Sequence, residues 1–195
     1  NNSAYFLKTK LGQDGRLDPK VEKHLGIVAS EIQRTDRMIA DILSFSRPIE
    51  VALAAVALGP LVEAAVAALA APSTITIEKH MPKGGVDALG DEKWLSDALR
   101  RLLDNAVEAL PSGGNITVSL SRQRGFACVE VRDTGVGIKH EILAELFEPF
   151  RTGKPRGLGL GLAMVRKIAE AQKGRAEGGN LKGGGAQFRL LIPTA

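Results

Sequence analysis

Cysteine is nearly missing from this sequence: Cys128 is the only one in 195 residues. That excludes an internal disulfide framework and a Cys-rich zinc site. Its neighbours Phe126, Ala127, Val129 and Val131 read as a buried strand, so the thiol is expected to fill core and not to react. Aromatic residues are scarce at 4%, too few to build a base-stacking surface. The formal charge of +4 divides as 8 − 7 = +1 through residue 50 and 18 − 15 = +3 beyond it, so neither part carries a dense basic face. Nucleic acid is therefore not an expected partner. The first residue is not Met and the opening residues already read as mid-helix, which is expected of an excerpt from a longer protein. What is present is a globular balance, 44% apolar and 25% charged, enough for one large domain or one domain with a smaller element.

Only one apolar run is long enough to span a bilayer: Val51–Ala71, 21 residues with the single charge Glu63. Ten of its residues are the weakly apolar Ala, and Gly59-Pro60 interrupts it. Gly and Pro there mark a helix start after a short strand, so no membrane contact is expected from this run. The residues before it do not read as a signal peptide, so none is expected.

The first quarter reads as two helices. Ala4, Leu7 and Leu11 mark one stripe, Gly12-Gln13-Asp14-Gly15 a turn, and Asp18-Pro19 the cap and first turn of a second helix ending at Ser46-Arg47-Pro48. Along that helix Val21, Leu25, Val28, Ile32, Thr35, Ile39 and Ile42 follow a heptad seam. Two such helices bury little alone, so a dimer forming a four-helix bundle is the expected solution; the alternative is a hairpin packed on its own domain.

Beyond residue 50 the pattern becomes α+β. A helix over Leu61–Leu69, a strand over Thr74–Glu78 and an Asp91-capped helix to Leu110 come first. Strands at Asn115–Ser121 and Phe126–Arg132, a helix at Leu162–Gln172 and a strand at Ala186–Ile192 follow. The hairpin-like neighbours call for a mixed or antiparallel sheet with helices on one face.

Three polar segments exceed what packing needs. Asn105 lies among the core positions Leu102, Leu103 and Ala106, where a carboxamide requires a partner or ligand; its oxygen suits a Mg²⁺ that otherwise binds water and phosphate. Alone, it reads more readily as an exposed-flank Asn. In Asp133-Thr134-Gly135-Val136-Gly137-Ile138, a carboxylate at a strand end is an acceptor for an adenine amine, and the glycines let a flat ring approach. A bare Asp-x-Gly is also an ordinary turn. Gly157, Gly159 and Gly161 open a helix, as a phosphate site does, with Arg151, Lys154 and Arg156 just upstream; a solvated loop is the other reading. The G-x-G-x-G spacing and the missing strand before it argue against a dinucleotide fingerprint, and no P-loop occurs.

Taken in order, Asn105, the Asp133–Ile138 segment, Phe147-Glu148-Pro149-Phe150 and the Gly157–Leu162 repeat resemble the N, G1, F and G2 boxes of sensor histidine kinases. Residues 1–50 resemble the end of the dimerisation and phosphotransfer hairpin, including Asp41-Ile42-Leu43-Ser44-Phe45-Ser46-Arg47-Pro48; residues 51–195 resemble the catalytic ATP-binding domain of the GHKL superfamily. The resemblance implies an α/β sandwich after the hairpin, Mg²⁺ on Asn105 and the adenine amine on Asp133. It implies a base pocket lined by Gly135, Gly137 and Ile138, and a lid anchored by Phe147 and Phe150 and carrying Lys154. Gly157, Gly159, Gly161 and Leu162 would form the lid's phosphate-side hinge. It further implies ATP as cofactor, a homodimer, a response-regulator receiver domain as partner, and a cytoplasmic location.

Two departures qualify the match. Arg101 stands one turn before Asn105, where many histidine kinases have Asn and hydrolysing GHKL relatives a catalytic Glu; Glu108 replaces a common Lys. The family's phosphoacceptor is a His followed by an acid, with Pro four residues further on. His24 precedes Leu25, His80 follows a strand in an expected loop, and His140 precedes Glu141 without the Pro, so none fits. Asn1–Leu7 resembles the segment just beyond that His. The expected function is thus a protein-histidine kinase core that binds Mg·ATP but lacks its own acceptor. The alternatives are a non-catalytic nucleotide-binding dimerisation module and a GHKL-type ATPase.

Overall fold

The computed structural model describes residues 19–153 and 157–195, leaving out the side chains of 19 and 37. The expectations for Ala4, Leu7, Leu11, the Gly12–Gly15 turn, the Asp18 cap, Lys154 and Arg156 lie outside the described residues. The chain divides into two units, one ending at Arg47 and the other Pro48–Ala195. In the first, α1 (Pro19–Ser46) is an uninterrupted helix of 28 residues. It begins at the proline, whose missing N–H costs nothing in a first turn, and stops before Arg47-Pro48. Of its heptad seam, Val21, Val28, Ile39 and Ile42 are exposed in the single chain, while Leu25 and Ile32 are half-buried.

The second unit begins with β1 (Ala54–Ala57) running straight into α2 (Leu58–Ala67). The helix starts three residues before the expected Leu61, with Gly59 and Pro60 inside its first turn. That turn uses no backbone N–H internally, so neither residue disrupts it. The apolar run is thereby split between a strand and a helix, and no helix among the described residues is long and apolar enough to cross a membrane. Next come β2 (Ile75–His80), β3 (Asp87–Gly90) and α3 (Glu92–Glu108). Asp91 caps α3 as expected, its side chain accepting from Trp94 N at 3.3 Å. Strands β4 (Gly114–Gln123) and β5 (Phe126–Asp133) form a hairpin, and the short α4 (His140–Leu143) precedes α5 (Gly161–Ala171). Finally β6 (Arg175–Asn180) and β7 (Ala186–Pro193) complete the sheet.

The main sheet has the order β2-β4-β5-β7-β6, with β2 parallel to β4 and the other pairs antiparallel. This is the mixed sheet that the sequence calls for. A separate antiparallel pair, β1 with β3, is tied to the end of β7 by a bridge between Ala88 and Thr194. Side chains alternate with period two. One face carries Ile116, Val118, Leu120, Val129, Val131, Phe188, Leu190 and Ile192, all buried. Against that face α2 meets β4, α3 meets β5, and α5 meets β6 and β7. From α3 come Leu95, Ala98, Leu99, Leu102, Leu103 and Ala106, the stripe expected from their spacing, and from α5 Ala163, Met164, Val165 and Ile168. The other face carries a charged ladder: Glu130 takes Arg189 Nε at 2.6 Å and Arg132 Nε at 2.7 Å, and Arg175 Nε meets Glu177 at 2.8 Å.

Three elements were not expected. β3 is only four residues long, and α4 a single turn. β6, Arg-Ala-Glu-Gly-Gly-Asn, has no large apolar side chain; it is an edge strand held by its backbone pairing with β7. β2 ends two residues beyond the expected Glu78, so His80 pairs with Ser119 and is not in a loop.

Candidate functional site

Asp133 is the last residue of β5. Period two puts it on the face of Val129 and Val131, under the helices, and it is 1% exposed. A carboxylate buried this deeply needs donors. Its Oδ1 accepts from Gly135 N at 2.9 Å and from Ala186 N at 3.4 Å. The chain then turns sharply over the end of α3. A Cβ on Gly135 would stand 2.4 Å from Ala109 O and 2.9 Å from Asp133 Oδ1, so no larger residue fits. Ala109 N in turn donates to Asn105 O at 3.1 Å. The Asp133 loop therefore rests on the turn that follows Asn105, and two residues that the sequence groups only by order are brought into one region.

Asn105 itself is half-buried. One turn earlier, Arg101 Nε donates to Asp97 Oδ2 at 2.9 Å, and Arg100 Nη2 reaches Asp97 Oδ1 at 2.6 Å. Burial alone would raise the Asp97 pKa, but the hydrogen bonds and charges of the two guanidiniums together hold it below its ordinary value. Arg101 is thus fixed on α3 by an ion pair with Asp97.

The far side of the loop is held by residues the sequence reading missed. Asn180, at the end of β6, grips the Ile138 backbone twice: Ile138 N donates to Asn180 Oδ1 at 2.7 Å, and Asn180 Nδ2 donates to Ile138 O at 2.8 Å. Gly137 lies against the same Asn180 side chain. Gly185 has φ +82°, and a Cβ there would fall 1.9 Å from Asp133 O, so the β6–β7 turn closes directly on the strand end. The Asn-Leu-Lys-Gly-Gly-Gly turn signal was the available clue. It carries no hint that its first residue faces another loop forty residues upstream.

A second group lies between α4 and α5. Leu146 is buried, against Gly178 of β6, and Phe147 is half-buried. Phe150 is 62% exposed with φ +63°, so its side chain does not provide the anchoring that the resemblance implies. The hold comes instead from Leu146, from Glu148 and from the backbone. Glu148 receives Arg166 of α5 through both oxygens, at 2.7 and 3.3 Å, and Arg151 Nε meets Glu145 at 2.8 Å. The hydrogen bond from Arg166, then its charge, lowers the Glu148 pKa. Gly159, with φ +72°, sits where a Cβ would meet Arg151 N at 2.6 Å, so the two ends of the 151–159 segment are pressed together. Gly157 is exposed, Leu162 half-buried, and Gly161 opens α5 with nothing within 4 Å of a Cβ. α5 begins without a side-chain cap. The two groups are linked through α3, which packs on α5. Lys154 lies outside the described residues.

The second unit thus combines a mixed sheet with helices on one face, a buried strand-end carboxylate followed by a close-packed glycine, and an uncapped glycine-rich helix start. Residues 90–195 match the family described as histidine kinase-, DNA gyrase B- and HSP90-like ATPase, and the chain belongs to that family. Among its relatives are sporulation kinase C of Bacillus subtilis, 28% identical over 90% of this chain and 42% of that protein. The signal transduction histidine-protein kinase AtoS of Escherichia coli is 32% identical over 90% of this chain and 30% of that protein. The chain thus spans less than half the length of these relatives. Of solved structures, the mycobacterial sensor histidine kinase MprB superposes with a TM-score of 0.64 at 26% identity, over 73% of this chain and 98% of that one. The histidine kinase ThkA, solved in complex with the response regulator protein TrrA, shares the fold with a TM-score of 0.78 at 23% identity, over 94% and 54%.

Proposed function

We propose that this chain is the ATP-binding and phosphoryl-donating core of a protein-histidine kinase. Residues 51–195 form its catalytic domain, and residues 1–50 belong to a dimerisation and phosphotransfer hairpin. The observation that carries the reading is Asp133, buried at the strand end and fixed by two backbone donors, beside a loop that rests on the turn after Asn105. Asp133 would accept the exocyclic amine of adenine, and Gly135, Gly137 and Ile138 would form the wall along which the ring lies. Phosphates would meet the uncapped start of α5, where backbone N–H groups and the helix dipole favour an anion. Gly157, Gly159, Gly161 and Leu162 line that side, with Phe150 and Lys154 on the segment before it.

The residues also suit Mg²⁺ bound mainly by phosphate. Among the described residues no group of three or more His, Cys, Asp or Glu is placed to hold a metal, and Asn105 offers a neutral carboxamide oxygen. Bound there, the ion would neutralise charge on the phosphates. This chain's own residues orient the donor, as phosphoryl transfer requires. The bond from the γ-phosphorus to the β-bridging oxygen would break as one forms to an imidazole nitrogen. That imidazole belongs to a hairpin His outside this sequence, and a response-regulator aspartate would receive the group next. The exposed seam of α1 would join a second copy of the chain. The relatives' names support a kinase. Arg101, paired with Asp97 in place of a carboxylate, speaks against a hydrolytic ATPase. A cytoplasmic location follows from this reading.

Calorimetry with ATP, ADP and GTP tests the pocket: adenine nucleotides should bind and GTP should not, because its 6-oxo group presents a second acceptor to Asp133. Transfer of label from ATP to a separately supplied hairpin with the intact His motif separates the kinase from a binding module. Binding of GTP as tight as ATP would remove the adenine assignment.

A further inference from the structure

Asp91 does more than cap α3. Its Oδ1 accepts from Trp94 N, its Oδ2 accepts from Ala52 N at 2.9 Å, and its own N donates to Gln172 Oε1 at 2.6 Å. Gln172 is 1% exposed and returns its Nε2 to Ile168 O of α5 at 3.1 Å. Gly90, the residue before Asp91, lies so close that a Cβ would stand 2.7 Å from Gln172 Oε1. A buried amide whose donor and acceptor are both used in this way fixes a distance between elements. Here it ties the start of α3 to the end of α5. Those two helices carry Asn105 and the glycine-rich start, the two sides of the proposed nucleotide site.

The opening residues of this unit are seated on the same side chains. Besides the Ala52 bond, Trp94 Nε1 donates to Glu50 O at 2.9 Å. Glu50, Ala52 and Leu53 are exposed, and Glu50–Leu53 is neither helix nor strand. A segment held by two hydrogen bonds at the surface is readily released, because such bonds contribute little net free energy.

Building on the nucleotide-binding reading, we infer that Asp91 and Gln172 are positioning residues for the nucleotide site, and that the seated Glu50–Ala52 segment strengthens their hold. Seating and nucleotide binding then favour each other, since coupling between two binding equilibria is reciprocal. Trp94 is the only tryptophan and reports on the seat. It lies eleven residues before Asn105 on one helix, roughly 16 Å along the axis, so a change in its emission comes from the seat and not from ligand contact.

The test uses the whole chain, a non-hydrolysable ATP analogue with Mg²⁺, calorimetry, and the emission and acrylamide quenching of Trp94. In the wild type, the analogue should reduce quenching with the midpoint that calorimetry gives. Ala52→Pro removes the donor to Asp91 Oδ2 at an exposed position and also restricts the backbone there. It should increase quenching and weaken the analogue by about threefold to tenfold. Gln172→Met should leave quenching in the free protein unchanged and abolish its response to the analogue, a readout that simple loss of stability would not move. Binding without any Trp94 response, or wild-type affinity in Ala52→Pro, overturns the coupling while leaving the nucleotide site intact. No heat of binding in the wild type overturns both.

Discussion

Asp133 shows how much one residue's position can state. As a letter after a strand it is a turn former; as a side chain it lies on the inward face of β5, its Oδ1 accepting from the Gly135 and Ala186 amides. Asp133→Asn keeps the size but replaces an acceptor oxygen with a donor group. Adenine nucleotide affinity should fall by about a hundredfold, since a buried donor would then face the adenine amine. Asn105→Ala should leave adenosine binding within about twofold and weaken Mg·ATP by roughly tenfold, the effect vanishing when Mg²⁺ is omitted. Calorimetry on both variants, with and without metal, measures this; equal losses regardless of metal would remove the division of roles. Cys128 presents the opposite case. Burial first, then the Glu130 charge, raises its thiol pKa, so at neutral pH it should resist thiol reagents until the protein unfolds. Asp133 and Asn105 were legible because each is a polar residue that interrupts an apolar period. Asn180 and Gln172 were not: Asn180 sits in a Gly-rich turn, Gln172 at a helix end, and both are common there for other reasons.

At the scale of elements, what the sequence made plain is whatever buries a face. α3 and the β4–β5 hairpin stand out because their apolar residues recur at helix and strand periods, and all of them end in one core. Leu99, fully buried between helix and sheet, should cost about 2–5 kcal/mol when cut to Ala, read as a lower denaturation midpoint with unchanged cooperativity. β3 and β6 were hidden because backbone pairing and not burial defines them. The same distinction governs the segment before α5. Its ends are joined by Glu148–Arg166 and by the close approach of Gly159 to Arg151. Because Arg166 lowers the Glu148 pKa, the contribution of that pair is complete above the ordinary value of 4.5 and is lost as pH falls through the lower folded value. Protection of the Glu148–Arg151 amides, measured relative to their intrinsic exchange rates, should therefore fall below about pH 4.5. In Arg166→Gln it should be low at neutral pH already, and the Glu148 side-chain resonance should titrate at its ordinary position. An unchanged titration would show that the pair does not hold the segment.

For the whole molecule, the proposed function divides between a helix with an exposed apolar seam and a unit that would hold nucleotide. On the proposed reading the donor site is all in the second unit, and the acceptor would be a histidine nucleophilic near neutral pH and beside an acid able to take its proton. His24 is exposed on α1 but is followed by Leu25. His80 ends β2, 3.8 Å from the Glu78 carboxylate, and is paired into the sheet. His140 opens the single-turn α4 on the same unit as the donor site. None stands on a helix with an acid next to it and a proline four residues on. Incubated with radiolabelled ATP, this chain should bind nucleotide and carry no acid-labile, base-stable label. A hairpin supplied separately with the intact motif should become labelled in its presence, and Asp133→Asn should weaken that transfer in step with its loss of nucleotide affinity. The label, once formed, should be lost in acid, since a phosphorus–nitrogen bond is cleaved when the imidazole is protonated. Label on the isolated chain, mapped to His24, His80 or His140, would show that the acceptor is here after all.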